Sequence, residues 1–344
     1  GAPNSGKFIG RDLMTGEIKR SFDPDIDIVW LSHHRCHFSK ATKNFLLPGR
    51  MGIEFVDIKK EKWKQHHWVR GGCIYGIMPC NGLIYTPPHA CACYFETKQN
   101  GYSAYTSDVG PALSGGQRLR KGPAYDSISS DAQDERAGGW PVFRHDSARS
   151  GHTASVVPAK LTQQWSVQIG GKLTQPVIAG GKIYVASIDS HTLHVLDAKT
   201  AKPIWTYVAG GRIDSPPSIH RGMAIFGSRD GWVYCLRCSD GTLVWRFRAA
   251  PKELLVMSYG QLESAWPVHG SVLIENNEVH CVAGRNMFLD GGLRYLRLDP
   301  STGRKISETI MDDKDPIRGG SIQKYDSWLD MTTTTPDVLA SDGK

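Results

Sequence analysis

The chain has 344 residues, 40% of them hydrophobic and 22% charged, with 37 glycines and 19 prolines. This composition suits a globular protein rich in turns, not a disordered or fibrous one. The net charge of +7 is spread along the chain without a basic run of the kind that marks a nucleic-acid arm, and no stretch approaches the roughly 20 apolar residues that span a bilayer.

In chain order, residues 1–22 end in Asp12-Leu-Met-Thr15-Gly16 and a short strand, which reads as the tail of a repeat already under way. That start predicts that the chain is part of a longer one. A second unit follows, with strands at Asn44–Leu47 and Gly52–Asp57 and a closing segment from Trp63 to Trp68. A third opens at Gly71 and continues through Gly82–Tyr85 to Tyr102–Tyr105. Residues 106–139 are rich in Ser, Gly, Asp and Arg, and read as a flexible linker or long insertion between 1–105 and 140–344.

The pattern restarts at Trp140-Pro-Val-Phe-Arg144-His-Asp146, and two similar units then follow one another. The first holds Gly181–Ser187, Leu193–Asp197, Thr200 and Trp205; the second holds Gly222–Ser228, Asp230-Gly231, Val233–Leu236, Asp240-Gly241 and Trp245. Their tryptophans lie 40 residues apart. Short β-branched and aromatic runs separated by Gly, Asp and Asn predict hairpins, and four strands in about 40 residues predict a propeller blade. A further unit spans Ala265–Gly303, and Thr335–Gly343 reads as the first strand of another. The expectation is an all-β protein, a β-propeller of four-stranded blades, with about six blades covered and closure at seven or eight. Two halves of different propellers joined through 106–139 are the alternative.

These units resemble the bacterial PQQ-binding-like β-propeller repeat. The likeness rests on Leu196-Asp197-Ala198-Lys199-Thr200 with Trp205, on Asp240-Gly241 with Trp245, on Asp299-Pro-Ser-Thr302-Gly303 and on Asp12-Leu-Met-Thr15-Gly16. It implies that an Asp-x-x-Thr-Gly turn precedes a strand whose tryptophan docks against the adjacent blade. The Trp140–Gly151 segment is similar to the opening of such propellers in secreted bacterial proteins, which implies a periplasmic or secreted location in the cell envelope. The family includes quinoprotein dehydrogenases, an outer-membrane assembly lipoprotein and propellers without assigned chemistry. Its quinone-holding dehydrogenases carry two adjacent cysteines; this chain has Cys91-Ala92-Cys93 and no such pair, which speaks against PQQ.

Two constellations are candidates for chemistry. His33, His34, Cys36, Cys73, Cys80, His89, Cys91 and Cys93 concentrate imidazole and thiolate groups in 61 residues. These are zinc or copper ligand types, and calcium is a further possibility for the chain. The structural alternative is disulfide staples or buried thiols, with histidines in turns. The second comes from aligning Gly170–Pro176 with Gly210–Pro216 and counting back from Pro267. Lys172, Arg212, Asp214, Glu263, Trp266 and His269 then fall at blade entries near the channel, suited to a polar ligand with an anionic group. Mutual charge pairing is the structural alternative there. His145-Asp146 and Asp290-Gly291-Gly292 read as turn and closure residues, Cys235-x-x-Cys238 crosses a strand end outside the βα context a redox motif requires, and no phosphate loop, nucleophile elbow or His-Glu-x-x-His helix is present.

The leading expectation is a binding or scaffold module without catalysis of its own, holding a protein or polysaccharide partner and no nucleic acid. The alternatives are a metal-assisted lyase for acidic polysaccharide, using His33, His34, Arg35, Tyr75 and His89, and then a quinoprotein oxidoreductase.

Overall fold

A computed structural model describes residues 7–23, 37–49, 52–88, 101–107, 118–127, 139–322, 336 and 338–343. Every regular element named among them is a strand. In chain order these are β1 (Phe8–Arg11), β2 (Ile18–Phe22), β3 (Lys40–Ala41), β4 (Phe45–Leu47), β5 (Ile53–Asp57), β6 (Lys62–His66), β7 (Met78–Cys80), β8 (Leu83–Thr86), β9 (Ser103–Tyr105) and β10 (Leu119–Lys121). They continue as β11 (Val177–Ala179), β12 (Lys182–Ser187), β13 (Thr192–Asp197), β14 (Pro203–Val208), β15 (Ser218–His220), β16 (Met223–Gly227) and β17 (Trp232–Arg237). The last are β18 (Leu243–Arg248), β19 (Leu255–Ser258), β20 (Gln261–Ser264), β21 (Leu273–Glu275), β22 (Glu278–Ala283), β23 (Leu293–Leu298) and β24 (Lys305–Met311). The chain divides into two compact units, Gly1–Gly110 with Asp313–Thr333 and Pro111–Asp312 with Thr334–Lys344.

The second unit shows propeller blades directly. β11–β14, β15–β18 and β21–β24 are antiparallel meanders of four strands, and β10 adds a fifth strand outside β18. Strand alternation decides which neighbour each residue serves. Met223, Ile225, Val233, Cys235, Trp245 and Phe247 enter one apolar cluster, whereas Ala224, Phe226, Tyr234 and Leu236 enter the other. A sheet buried on both faces therefore reads as a near-continuous apolar run.

In two of the three blades the connection between the last two strands is an Asx turn. Asp197 Oδ1 accepts the Lys199 and Thr200 N–H groups at 3.0 and 2.8 Å, and Asp299 Oδ1 accepts those of Ser301 and Thr302 at 3.0 and 2.7 Å. Arg237 stands where these have Asp, and its guanidinium grips Asp240 at 3.0 and 2.6 Å instead. The tryptophan of one blade then docks on the turn of the next. Nε1 of Trp165, Trp205 and Trp245 donates to the carbonyls of Ala198, Cys238 and Pro300 at 3.2, 3.1 and 2.9 Å. Gly241 and Gly303 have φ of 74° and 66°, and a Cβ on either would lie 2.6 or 2.5 Å from the docked indole. Only glycine satisfies both the turn and the approach.

Residues 140–149 form a strap along the inner edges of the blades. Trp140 exchanges backbone hydrogen bonds with Ile178, the Pro141 carbonyl accepts the Ile219 N–H at 2.9 Å, and Ser147 Oγ donates to the Ile274 carbonyl at 3.1 Å. Arg149, 9% exposed, donates to the carbonyls of Phe143 (2.9 Å), Leu339 (2.9 Å) and Val272 (3.4 Å). Residues 338–343 carry no strand and are tied here, with Ser341 N donating to the Ser147 carbonyl at 2.9 Å.

In the first unit, β3–β6 form a four-stranded sheet, β7–β9 a three-stranded one and β1–β2 a hairpin. Leu47, Ile53, Val69 and Ile77 make its core. The same Asx turn recurs at Asp12, Asp57 and Asp315. At Asp57 the left-handed position is Glu61 (φ 56°), as it is Ala201 (φ 57°) at Asp197, whereas Asp12 and Asp315 are followed by Gly16 and Gly319, so the sequence pattern hides a turn that the backbone keeps.

Replacing Trp245, fully buried, by Ala is expected to cost about 3–5 kcal/mol in urea unfolding. Trp205, half-buried, is expected to cost less, and the reverse order would contradict the docking account.

Candidate functional site

The site at the blade entries of the second unit is built around one carboxylate. Glu263 lies on β20, 1% exposed. Arg212 Nε donates to its Oε1 at 2.7 Å, while Arg285 Nη2 and Arg229 Nη1 reach its Oε2 at 3.0 and 3.4 Å. Arg229 also holds Asp214 through Nε and Nη2 at 2.8 and 2.7 Å, and Arg212 Nη1 lies 3.7 Å from the exposed Asp189. Burial pushes the Glu263 carboxyl up, but the three guanidinium groups outweigh it and hold it below the usual carboxylate value.

The β19–β20 hairpin carries Glu263 on its inner face. Its two-residue turn has positive φ at Tyr259 (52°) and Gly260 (74°), as a tight hairpin requires. Tyr259 is an unfavourable residue for that conformation, and its ring instead lies 4.2 Å from the Arg212 guanidinium carbon and 5.6 Å from that of Arg229. His269 is partly buried and its pKa is lowered chiefly by that burial; Nε2 contacts the Gly284 carbonyl at 2.8 Å, which sets that nitrogen as the donor.

The structure thus brings Arg212, Asp214 and Glu263 into one network, with His269 within electrostatic reach of Arg229, Asp214 and Arg285. Trp266 is 2% exposed, and Lys252 Nζ lies 5.8 Å from its ring centroid. Lys172 is exposed and contributes only its carbonyl, to the Ile188 N–H at 2.8 Å. The buried donors Trp266 Nε1, Ser215 Oγ and Arg285 Nε have no hydrogen-bond partner among the described residues. Arg229 and Arg285 escaped the sequence reading because it aligned only the entries to the first strands. Aligning the exits of the second strands, Ser187-Ile188, Ser228-Arg229 and Gly284-Arg285, would have found both.

Of the histidine and cysteine cluster, His33, His34, Cys36, His89, Cys91 and Cys93 lie outside the described residues, as does Arg35. Cys73 is half-buried, Cys80 is an exposed free thiol and Tyr75 is 79% exposed. Among the described residues no group of three or more His, Cys, Asp or Glu side chains is placed to hold a metal. Within the cluster, for which disulfide staples or buried thiols are the structural alternative, Cys80 forms no disulfide; outside it, Cys235 and Cys281 are free thiols. Cys235 and Cys281 sit in the apolar cluster as small hydrophobic residues, and burial raises both thiols, that of Cys281 to about 12. In the first unit, His66 and His67 are partly buried and neutral, their pKa values lowered to about 4 mainly by burial.

Glu263→Gln is expected to cost about 3–5 kcal/mol, because it leaves three guanidinium groups facing one another around a neutral amide. The folded pKa of Glu263 is depressed, so its contribution is present above about 4.5 and is lost as pH falls through the lower folded value. Wild-type stability should therefore fall on acidification below that range, and the Glu263→Gln protein should lose less over the same window; parallel acid profiles would contradict this.

Comparison with known proteins follows the repeat. A family model described as outer membrane protein assembly factor BamB matches residues 147–318, half of the chain. A quinoprotein ethanol dehydrogenase of Pseudomonas aeruginosa is 35% identical over 167 residues, 43% of this chain and 25% of that protein. A second, of Pseudomonas putida, is 28% identical over 211 residues, 53% of this chain and 32% of that protein. The chain thus spans a quarter to a third of the length of these curated relatives. Among solved structures, BamB from Moraxella catarrhalis aligns at 18% identity with a TM-score of 0.33, covering 44% of this chain and 40% of that one. Quinohemoprotein alcohol dehydrogenase from Comamonas testosteroni aligns at 19% identity with a TM-score of 0.39, covering 55% and 30%. With its blade grammar, its docked tryptophans and half its residues matched, the chain belongs to the PQQ-like β-propeller repeat family described as outer membrane protein assembly factor BamB.

Proposed function

We propose that this chain is a binding or scaffold module of a bacterial cell-envelope protein, periplasmic or secreted, that holds a protein partner and performs no chemistry of its own. The observation that carries this reading is the network around Glu263. An ionised carboxylate locked by three arginines has no proton to exchange near neutral pH, and His269 is held as a neutral donor to a backbone carbonyl. Such a network fixes the shape and field of a surface. Glu263, held in this way, supplies no acid. The family description as an assembly factor supports a protein partner, and supports an envelope location with it. No helix among the described residues is long and apolar enough to cross a membrane.

The curated relatives raise a quinoprotein reading, and the candidate residues fit that cofactor poorly. Trp266 is buried to 2% exposure, so it has no open face on which a planar quinone could stack. The guanidinium groups that would meet the quinone's carboxylates are already taken by Glu263 and Asp214. No observation favours the lyase reading, whose histidines lie outside the described residues.

The purified chain, supplied with pyrroloquinoline quinone and calcium, is expected to show no dye-linked oxidation of ethanol. It is also expected to release no unsaturated ends from oligogalacturonate. Chemical cross-linking in envelope extracts should join it to one recurrent protein. Turnover in either assay, or cross-links to glycan in place of protein, would contradict the proposal.

A further inference from the structure

The outer end of the β15–β18 blade breaks a local rule of sheet construction. β10, supplied from far earlier in the chain, pairs with β18 so that Arg120 stands directly opposite Arg246. β17 pairs on the other side of β18, placing Trp232 opposite Arg248 and Tyr234 opposite Arg246. Like charges directly across a strand pair are destabilising. Here three arginines share one face.

Their surroundings show what the arrangement does. The guanidinium carbons of Arg120 and Arg246 lie 5.3 and 4.5 Å from the Trp232 ring, and Arg246 also lies 6.0 Å from Tyr234. Stacking on the aromatic surface occupies the flat faces of both cations; Arg246 also hydrogen-bonds the Tyr234 hydroxyl, while the exposed Arg120 keeps its in-plane N–H edge available. Among the described residues neither Arg120 nor Arg246 has a carboxylate within ion-pair distance, although Arg118 and Arg237 nearby are matched by Glu308 and Asp240. The nearest acid by charge, Asp230, is committed to the Tyr234 hydroxyl at 2.5 Å. Arg120 is exposed, and β10 is the terminal strand of its sheet.

We propose that this face docks an extended acidic segment of a protein partner, which lies along the outer edge of β10 and places a carboxylate against the Arg120–Trp232–Arg246 stack. The proposal rests on the protein-binding reading and names where on the module that partner sits. Two features select an acidic peptide over other anions. The terminal strand offers backbone donors and acceptors at strand spacing, which only another polypeptide strand can match. The paired forks suit a planar carboxylate. Arg120 and Lys121 along that edge repel basic strands, which gives the edge its selectivity against them.

The test is fluorescence anisotropy of a labelled alternating Glu–Val octapeptide against the full chain. A Lys–Val octapeptide and oligogalacturonate serve as comparison probes. The Glu–Val peptide should bind saturably, quench tryptophan emission and weaken with added salt. Arg120→Gln should weaken it about fivefold, the scale of one partly exposed ion pair. Arg120 is exposed and outside the core, so this variant should keep the wild-type unfolding midpoint. Arg246→Gln is expected to do at least as much, but it also touches Tyr234, and Arg120→Gln therefore decides. Equal affinity of wild type and Arg120→Gln, or binding of oligogalacturonate alone, would overturn the proposal. A cross-linked envelope partner that binds wild type and Arg120→Gln equally would overturn this surface while leaving the module reading standing; catalytic turnover would remove that reading itself.

Discussion

Everything in the second unit depends on one contact repeated from blade to blade: a tryptophan at the end of one sheet donating its N–H to the turn of the next. The turn can receive it only because a side-chain carboxylate, or in one case an Arg–Asp pair, organises the loop locally. Where Gly241 and Gly303 follow, the indole closes on bare backbone. Sheets twist and would otherwise splay, so a directional hydrogen bond at each outer corner sets the angle at which apolar faces meet. With the faces so held, strand alternation sends successive residues of β16 and β17 into two different apolar clusters. Each residue type is explained by which neighbour it faces.

The same geometry brings strand entries and exits together at the inner side, where apolar packing ends and charge takes over. Glu263 is the consequence: a carboxylate that would be costly to bury alone is balanced by three arginines from three different connections. The hairpin turn at Tyr259 carries unfavourable backbone and is compensated by its ring stacking on two of those arginines. Charge here specifies which segments meet.

Much of the blade order was legible because it is local. Asp230-Gly231, the Asp-x-x-Thr-Gly turns and the spaced tryptophans each act within a few residues, and so leave a pattern in the chain. Arg212 and Glu263 could be placed at neighbouring blade entries by counting from aligned glycines and prolines. Arg229 and Arg285 could not, because only the entries were aligned. Lys172 occupies an equivalent entry yet faces solvent, since equivalent position fixes the backbone and not the direction of a long flexible side chain. β10 was illegible for a different reason. Leu119–Lys121 is three residues in a polar stretch, and it becomes a strand only because β18 has an open edge to pair with. The turn at Asp57–Glu61 was missed because glycine was the expected marker and a glutamate bears the left-handed conformation.

The claim on which the functional account turns is that the carboxylate at the centre of the blade entries is a fixed structural anion. Its titration can be followed directly by carbon-detected magnetic resonance of a glutamate-labelled chain, with Glu263→Gln used to assign the signal. The account predicts a Glu263 carboxylate that stays ionised from neutral pH down past the ordinary value of 4.5, because Arg285, Arg229 and Arg212 outweigh its burial. A midpoint near neutrality would make it an exchangeable acid in a ring of cations. That would contradict the scaffold reading and make the site catalytic in character.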